Sequence, residues 1–115
     1  MILGVGLEPG TPVEDLLDAL AALGEVEVHV VATIDRRRDE PAITAVAAGR
    51  ELLAYAAGDL DAVDVPHPSA LVRRHTGTGS VAEAAAILAA RDTGGAGVLV
   101  VGKQRGRGVT LALAR

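Results

Sequence analysis

Hydrophobic residues along this chain alternate between short strand-like runs and longer helical stripes. Ile2 to Gly6 is an apolar run whose glycines, Gly4 and Gly6, suit a sharp turn out of a strand. Val26 to Ile34 is rich in β-branched residues, as in a buried strand. A strand, a helix and a strand of these lengths predict a βαβ unit with a right-handed crossover. The intervening leucines have the spacing of one helix face: Leu16, Leu17, Leu20 and Leu23.

The most strongly specified element is a helix that begins at Ser80. Ser80 stands three residues before Glu83, which is the spacing of a reciprocal capping box. Every residue after Glu83 as far as Ala90 is apolar, which predicts a helix buried nearly all round. A Gly77-Thr78-Gly79 approach precedes unpaired N–H groups at the helix start, so this end is also a candidate anion site.

Caps, glycines and prolines mark the other elements. Thr11 and Glu14 form a second capping box around Pro12, and Gly24 is placed to end that helix. Two final strands joined by a short turn must be antiparallel. The remaining predicted elements are strands at Leu52–Ala56, Val98–Val101 and Val109–Ala114, helices at Pro41–Ala48 and Ser69–His75, one helical turn at 58–63, and a flexible turn at Lys103–Gly108.

Together these elements predict an α/β fold. We expect a three-layer α/β/α sandwich with a mostly parallel five-stranded mixed sheet that ends in an antiparallel hairpin. A chain of 115 residues is large enough to bury a working core without disulfides, so residues 1–115 are expected to form a single domain.

Composition narrows the class of function. The chain has no cysteine, which excludes disulfides and thiolate metal sites. It has no Phe or Trp, one Tyr and a net charge of −4, which count against nucleic-acid binding. No export signal is visible, and no apolar run approaches the ~20 residues of a membrane span. We therefore expect a cytoplasmic protein that binds neither nucleic acid nor membrane.

The densest charged cluster, residues 35–40, follows the second strand. A solvated loop is the simpler explanation, but ligands in open α/β sheets bind outside the carboxyl ends of strands, where Thr33, Asp35 and Glu40 are expected. No histidine stands at metal-ligand spacing, and the dinucleotide, P-loop and serine-hydrolase motifs are incomplete. Neither a metal nor a cofactor is therefore expected.

Five motifs in chain order resemble the CobE / CbiG C-terminal domain family of cobalamin biosynthesis. The resemblance covers essentially the whole chain, and the order of the motifs is more specific than any one of them. The motifs are Gly4-Val5-Gly6, Ala32-Thr33-Ile34-Asp35 running to Asp39-Glu40-Pro41, Val65-Pro66-His67-Pro68-Ser69, Ser80-Val81-Ala82-Glu83-Ala84-Ala85-Ala86, and Lys103 with Val109-Thr110-Leu111-Ala112-Leu113-Ala114-Arg115.

This resemblance implies a protein of corrin ring biosynthesis that binds or acts on a precorrin, with or without cobalt. The longer CbiG proteins carry additional N-terminal sequence and open the ring-contraction lactone of cobalt-precorrin-5A. An enzymatic activity of this chain would accordingly resemble that hydrolase. The alternative is a non-catalytic interaction or assembly module for other cobalamin-pathway enzymes, which are then its partners.

Residue roles carry over at the positions that match the family motifs. Leu7-Glu8-Pro9 departs from a Cys-Arg-Arg-like run in the family, and Arg37 replaces a family lysine, exchanging a point charge for a planar fork. The resemblance implies catalytic acid–base roles for Glu40 and Glu83, and substrate binding by Thr33, Asp35, Arg37, Ser80, Lys103 and Thr110.

Overall fold

The computed structural model describes residues 1–65 and 80–115. Most of the Val65-Pro66-His67-Pro68-Ser69 motif, the helix predicted from Ser69 to His75 and the Gly77-Thr78-Gly79 approach therefore lie outside the described residues. The strands are β1 (Ile2–Leu7), β2 (Val30–Ile34), β3 (Glu51–Tyr55), β4 (Leu99–Arg105) and β5 (Val109–Ala114). The helices are α1 (Val13–Ala22), α2 (Pro41–Ala47), α3 (Ala57–Asp61) and α4 (Val81–Asp92), with a 3₁₀ turn at Asp35–Arg37.

The strands form one mixed sheet in the order β3-β2-β1-β5-β4. β1 pairs in parallel with β2, and β2 in parallel with β3. β5 is antiparallel to both β1 and β4, so β4 runs in the same direction as β1. The predicted mostly parallel five-stranded sheet with one reversed strand is confirmed.

Helices cover both faces of the sheet. On one face, α1 and α2 pack against β1 and β5 through a cluster that includes Leu3, Val5 and Leu111. On the other face, α3 and α4 cover Ala32 and Ala112. The three-layer α/β/α arrangement follows, and no helix in the described parts of the chain is long and apolar enough to cross a membrane.

α4 lies directly on the glycines of β1. Residues 81–90 are buried except for Leu88, which confirms the helix expected from the apolar run. A Cβ at Gly4 would overlap the Ala82 carbonyl oxygen, and one at Gly6 would stand 3.3 Å from the Val81 Cβ. Both glycines lie within β1, so their role is close packing of the helix rather than the sharp turn expected from the sequence.

The far end of α4 is tied to β3. The Tyr55 hydroxyl donates a hydrogen bond to the Asp92 carboxylate at 2.8 Å. Burial and the neighbouring Asp92 carboxylate raise the pKa of Tyr55 above its usual range, so the hydroxyl stays a donor at neutral pH. This contact fixes the carboxyl end of the helix relative to the sheet.

The capping box predicted at Thr11 is wrong. α1 begins at Val13 with Pro12 as its N-cap residue, and no side chain caps it. The Thr11 hydroxyl instead donates to the carbonyl oxygens of Glu8, at 2.7 Å, and Gly108, at 3.2 Å. A local acceptor at Glu8 and a distant one at Gly108 outcompete the cap. The predicted helix end is correct, since Gly24 has a φ of +86°.

The strand boundaries that differ most from the prediction are the start of β2 and the end of β4. β2 begins at Val30 rather than Val26, because its ladder with β1 begins where Val30 pairs with Ile2. The His29 backbone bonds Met1 and Glu51 just before that point. β4 continues to Arg105, so Lys103 lies in the strand and not in the turn. β5 provides the partner for this extension, since Arg105 is opposite Thr110.

Candidate functional site

The carboxyl ends of the parallel strands meet at one edge of the sheet. The start of β5 lies at the same edge, because Val109 pairs with Leu7 at the end of β1. From β1 the chain first adds β2 and β3 on one side, whereas β5 and β4 lie on the other. Ligands of open α/β sheets bind in the crevice created where the strand order reverses in this way. The crevice beside the end of β1 is therefore the candidate site.

One group of predicted site residues follows β2 and holds the loop after β1. Arg37 donates from Nε to the Leu7 carbonyl oxygen at 3.1 Å. Glu40, the N-cap residue of α2, accepts a hydrogen bond from the Gly10 amide at 2.9 Å. Asp35 is exposed at the start of the 3₁₀ turn. Arg37 and Glu40 thus shape the loop, and Asp35 faces solvent.

Thr33 lies beneath this group and is completely buried. Its hydroxyl donates to the Val5 carbonyl oxygen at 2.7 Å. The paired residues of β1 and β2 end at Gly4 and Ala32, so the threonine hydroxyl continues the connection between the strands one residue further. Thr33 consequently holds β1 and β2 together below the candidate site.

We expect Thr33→Val to lower the free energy of unfolding by about 1–3 kcal/mol, because the isosteric side chain deprives the buried Val5 carbonyl of a donor. Thr44→Val, at an exposed position of α2, is the matched control and should change stability by less than about 0.5 kcal/mol. Urea unfolding measures both. Equal stabilities for the two variants would contradict the role assigned to the Thr33 hydroxyl.

A second group of predicted site residues assembles around the start of α4. The Ser80 hydroxyl is buried and accepts the Glu83 amide hydrogen bond at 3.5 Å, which confirms this half of the capping box. The Glu83 side chain is fully buried. Its Oε2 accepts a hydrogen bond from the backbone amide of Lys103 at 2.9 Å. The helix start and β4 are therefore joined through Glu83.

Thr110 lies next to this second group. It pairs with Gly6 in β1 and with Arg105 in β4. Along β5 it alternates with Leu111, which packs under α1 and α2, and so shares the α4 face with Ala112. Thr110 is half-buried, so its hydroxyl is placed at the edge of the sheet beside the helix start.

The loop after β1 separates the two groups and is fastened to the β4–β5 hairpin. The Glu8 amide donates to the Gly108 carbonyl oxygen at 3.0 Å. Thr11 bonds the same carbonyl from its hydroxyl. Arg37 and Glu40 hold this loop from the opposite side. The loop after β1 is thus held in place from both sides.

The hairpin itself carries three cationic residues beside the candidate site. Residues 99–114 contain Lys103, Arg105 and Arg107 and no acidic residue, although the whole chain has a net charge of −4. Arg105 and Arg107 are exposed, and Lys103 is half-buried. These two arginines were not among the candidate binding residues predicted from the sequence. They flank Gly106 where the hairpin turns, and this pair of cations at a hairpin tip was visible in the sequence.

This arrangement suits an anionic ligand better than a metal ion. Cations, hydroxyls and a helix start are the groups with which proteins bind carboxylates. Within residues 1–65 and 80–115, no group of three or more His, Cys, Asp or Glu side chains has a geometry that could hold a metal ion.

Comparison with known proteins agrees with the fold and assigns the family. The family described as Cobalamin synthesis G C-terminus matches residues 1–114 of this chain. The chain belongs to this family. Protein CobE from Sinorhizobium sp. is 37% identical over 124 residues, which cover 99% of this chain and 79% of that protein. The family places the chain among the proteins of cobalamin biosynthesis, as the resemblance implied.

Two solved structures share the architecture. A crystal structure of CobE, a protein from the cobalamin (vitamin B12) biosynthetic pathway, has a TM-score of 0.84 and 34% identity, covering 96% of this chain and 89% of that one. The cobalamin biosynthesis protein chiG from Agrobacterium tumefaciens has a TM-score of 0.68 and 30% identity, covering 96% and 94%. The family members thus retain the α/β fold described above.

Proposed function

We propose that this protein binds a precorrin, the methylated tetrapyrrole that becomes the corrin ring, in the crevice between the start of α4 and the β4–β5 hairpin. The observation that carries the proposal is the positive hairpin, with Lys103, Arg105 and Arg107 beside the position where the strand order reverses. Membership of a cobalamin-biosynthesis family supplies the ligand class.

The chemistry of a precorrin matches this surface. The ring carries acetate and propionate side chains, and their carboxylates form the strongest hydrogen bonds with charged donors. Lys103 is half-buried and provides an ammonium group. Arg105 and Arg107 are exposed and provide planar guanidinium groups that can bind a carboxylate through two hydrogen bonds. Thr110 adds a hydroxyl beside them. In this proposal Ser80 shapes the helix start, and Asp35 and Arg37 border the ligand on the other side of the loop.

Binding explains the two glutamates better than hydrolysis does. A general acid or base must come within hydrogen-bond reach of its substrate. Glu83 is fully buried and accepts a main-chain amide, whereas Glu40 is half-buried and accepts the Gly10 amide. We therefore propose a binding role for this chain and retain Glu40 as the carboxylate to test for lactone opening, by Glu40→Gln.

We further propose a cytoplasmic location and other cobalamin-pathway enzymes as partners. A protein that binds a pathway intermediate receives it from one enzyme and passes it to another. The chain has no cysteine, in keeping with a reducing compartment.

A titration with cobyrinic acid, a stable corrinoid with free carboxylates, tests the proposal. We expect a saturable change in the corrinoid absorption spectrum and co-elution with the protein. Lys103→Ala should weaken binding about tenfold, the loss of one charge-assisted hydrogen bond. Cobinamide, whose side chains are amides, is the control ligand and should bind more weakly. Equal affinity for both corrinoids, or no binding of either, would refute the proposal.

One feature favours the alternative assembly module. β4 is an edge strand of the sheet, and Val98, just before it, and Val100, within it, are exposed at 52% and 42%. An edge strand with apolar side chains can pair with a strand of another protein. Ligand-independent capture of a purified pathway enzyme, abolished by Val98→Lys with Val100→Lys, would support this function.

A further inference from the structure

We infer that Glu83 is a positioning residue, which holds β4 so that Lys103 faces the ligand, and that it is not an acid–base group. The inference rests on the proposed function for the part that concerns the ligand. Its structural part, the hold of Glu83 on Lys103, can be tested without any ligand.

Lys103 lies in an irregular part of β4. Val101 is opposite Leu113 and Gln104 is opposite Leu111, so Gly102 and Lys103 together face the single residue between those partners. Such a bulge adds one residue to a strand, interrupts the ladder and redirects a side chain. The amide of Lys103 at this bulge donates to Glu83 at 2.9 Å. The buried carboxylate thus accepts a backbone hydrogen bond at the point where the strand departs from regular pairing.

The carboxylate is itself held in a rigid element. Ser80 caps the first turn of α4, and Gly4 lets that turn lie directly against β1. The Tyr55 hydroxyl fixes the other end of the helix through Asp92. Glu83 therefore fixes the bulge in β4 relative to α4, and with it the adjoining cationic hairpin.

Burial favours this role over proton transfer. The Glu83 side chain has no exposed surface, so a substrate in the crevice does not reach it without displacing its surroundings. A carboxylate accepting a backbone N–H makes a stronger hydrogen bond than a neutral acceptor would. An anchoring role uses this strength directly.

Two substitutions separate the roles. Glu83→Gln keeps the side-chain size and an acceptor oxygen. Glu83→Asp keeps the charge, but its side chain is one methylene shorter, which moves the carboxylate away from the Lys103 amide. In the protein without ligand, amide hydrogen exchange at Lys103 should remain slow in Glu83→Gln and accelerate at least tenfold in Glu83→Asp. Glu14→Gln, at an exposed position of α1, is the control and should leave that exchange unchanged. Unaltered exchange at Lys103 in Glu83→Asp would overturn the inference.

Affinity for cobyrinic acid provides the second readout. We expect Glu83→Gln to bind within about twofold of the wild type, and Glu83→Asp to bind as weakly as Lys103→Ala. Combining Glu83→Asp with Lys103→Ala should weaken binding no further, because both changes remove the same contact. Full additivity, or a loss in Glu83→Gln as large as in Glu83→Asp, would overturn the inference. A wild-type protein that bound no corrinoid would refute the proposed function and leave the exchange result to decide the role of Glu83.

Discussion

A Gly4→Ala variant is expected to lose about 3 kcal/mol or more of its free energy of unfolding, and Gly4→Val is expected not to fold. The Cβ of either side chain would overlap the Ala82 carbonyl oxygen and lie 2.9 Å from the Ala86 Cβ. Overpacking of a core typically costs 1–3 kcal/mol. Here the obstacle is the backbone of a buried helix, which cannot rotate away as a side chain can, so the cost should lie at or above the upper end.

Urea unfolding of Gly4→Ala measures this loss, with Gly58→Ala as the control. Gly58 lies in α3, and an added Cβ there meets nothing within 4 Å. Alanine should be neutral or stabilising by up to about 1 kcal/mol at that position, because it restricts the unfolded chain. An unchanged midpoint for Gly4→Ala would show that α4 does not lie against β1 as described, and would also remove the support for the position of Ser80 and Glu83.

The double variant Arg105→Ala with Arg107→Ala is expected to weaken cobyrinic acid binding about 100-fold. Each substitution removes a charge-assisted hydrogen bond of about 1.5 kcal/mol, and 1.4 kcal/mol corresponds to a tenfold change in affinity. Both side chains are exposed on the hairpin, so stability should change by less than about 0.5 kcal/mol. Raising the ionic strength should weaken wild-type binding more than binding by the double variant.

Arg91→Ala with Arg115→Ala is the matched control for that variant. Arg91 is in the last turn of α4 and Arg115 follows β5, so both lie at the opposite edge of the sheet. The change in net charge is the same. Binding should remain within about threefold of the wild type. Equal losses in the two double variants would show that the net charge of the protein, and not the hairpin, governs corrinoid affinity.

The structure shows which kinds of feature a sequence reveals. The helix at Ser80 was predictable because a cap and an uninterrupted apolar run are both local signals, and the same holds for the helix end at Gly24. Two strands joined by three residues had to be antiparallel, which gave the hairpin. The mixed sheet and its three layers followed from these elements.

Contacts between distant segments were not predictable. The Thr11 hydroxyl bonds Gly108, which lies 97 residues away in sequence, and does not cap α1 as expected. Glu83 bonds the amide of Lys103 at a bulge, where two residues of β4 face one residue of β5. The Gly-x-Gly motif was visible, yet the helix that it accommodates could be identified only from the packing. For the candidate site, the sequence predicted which residues lie near the carboxyl ends of the strands. It could not predict which of them hold the backbone in place and which are available to a ligand, because that depends on these contacts.

A crystal of this protein soaked with cobyrinic acid tests the central claim most directly. We predict electron density for the corrinoid between the start of α4 and the β4–β5 hairpin, with carboxylates within 3.2 Å of Lys103, Arg105 and Arg107. The Glu83 contact with the Lys103 amide should remain intact in the complex. Density at the amino edge of the sheet, near Arg91 and Arg115, or a crevice that stays empty at saturating ligand, would contradict the account.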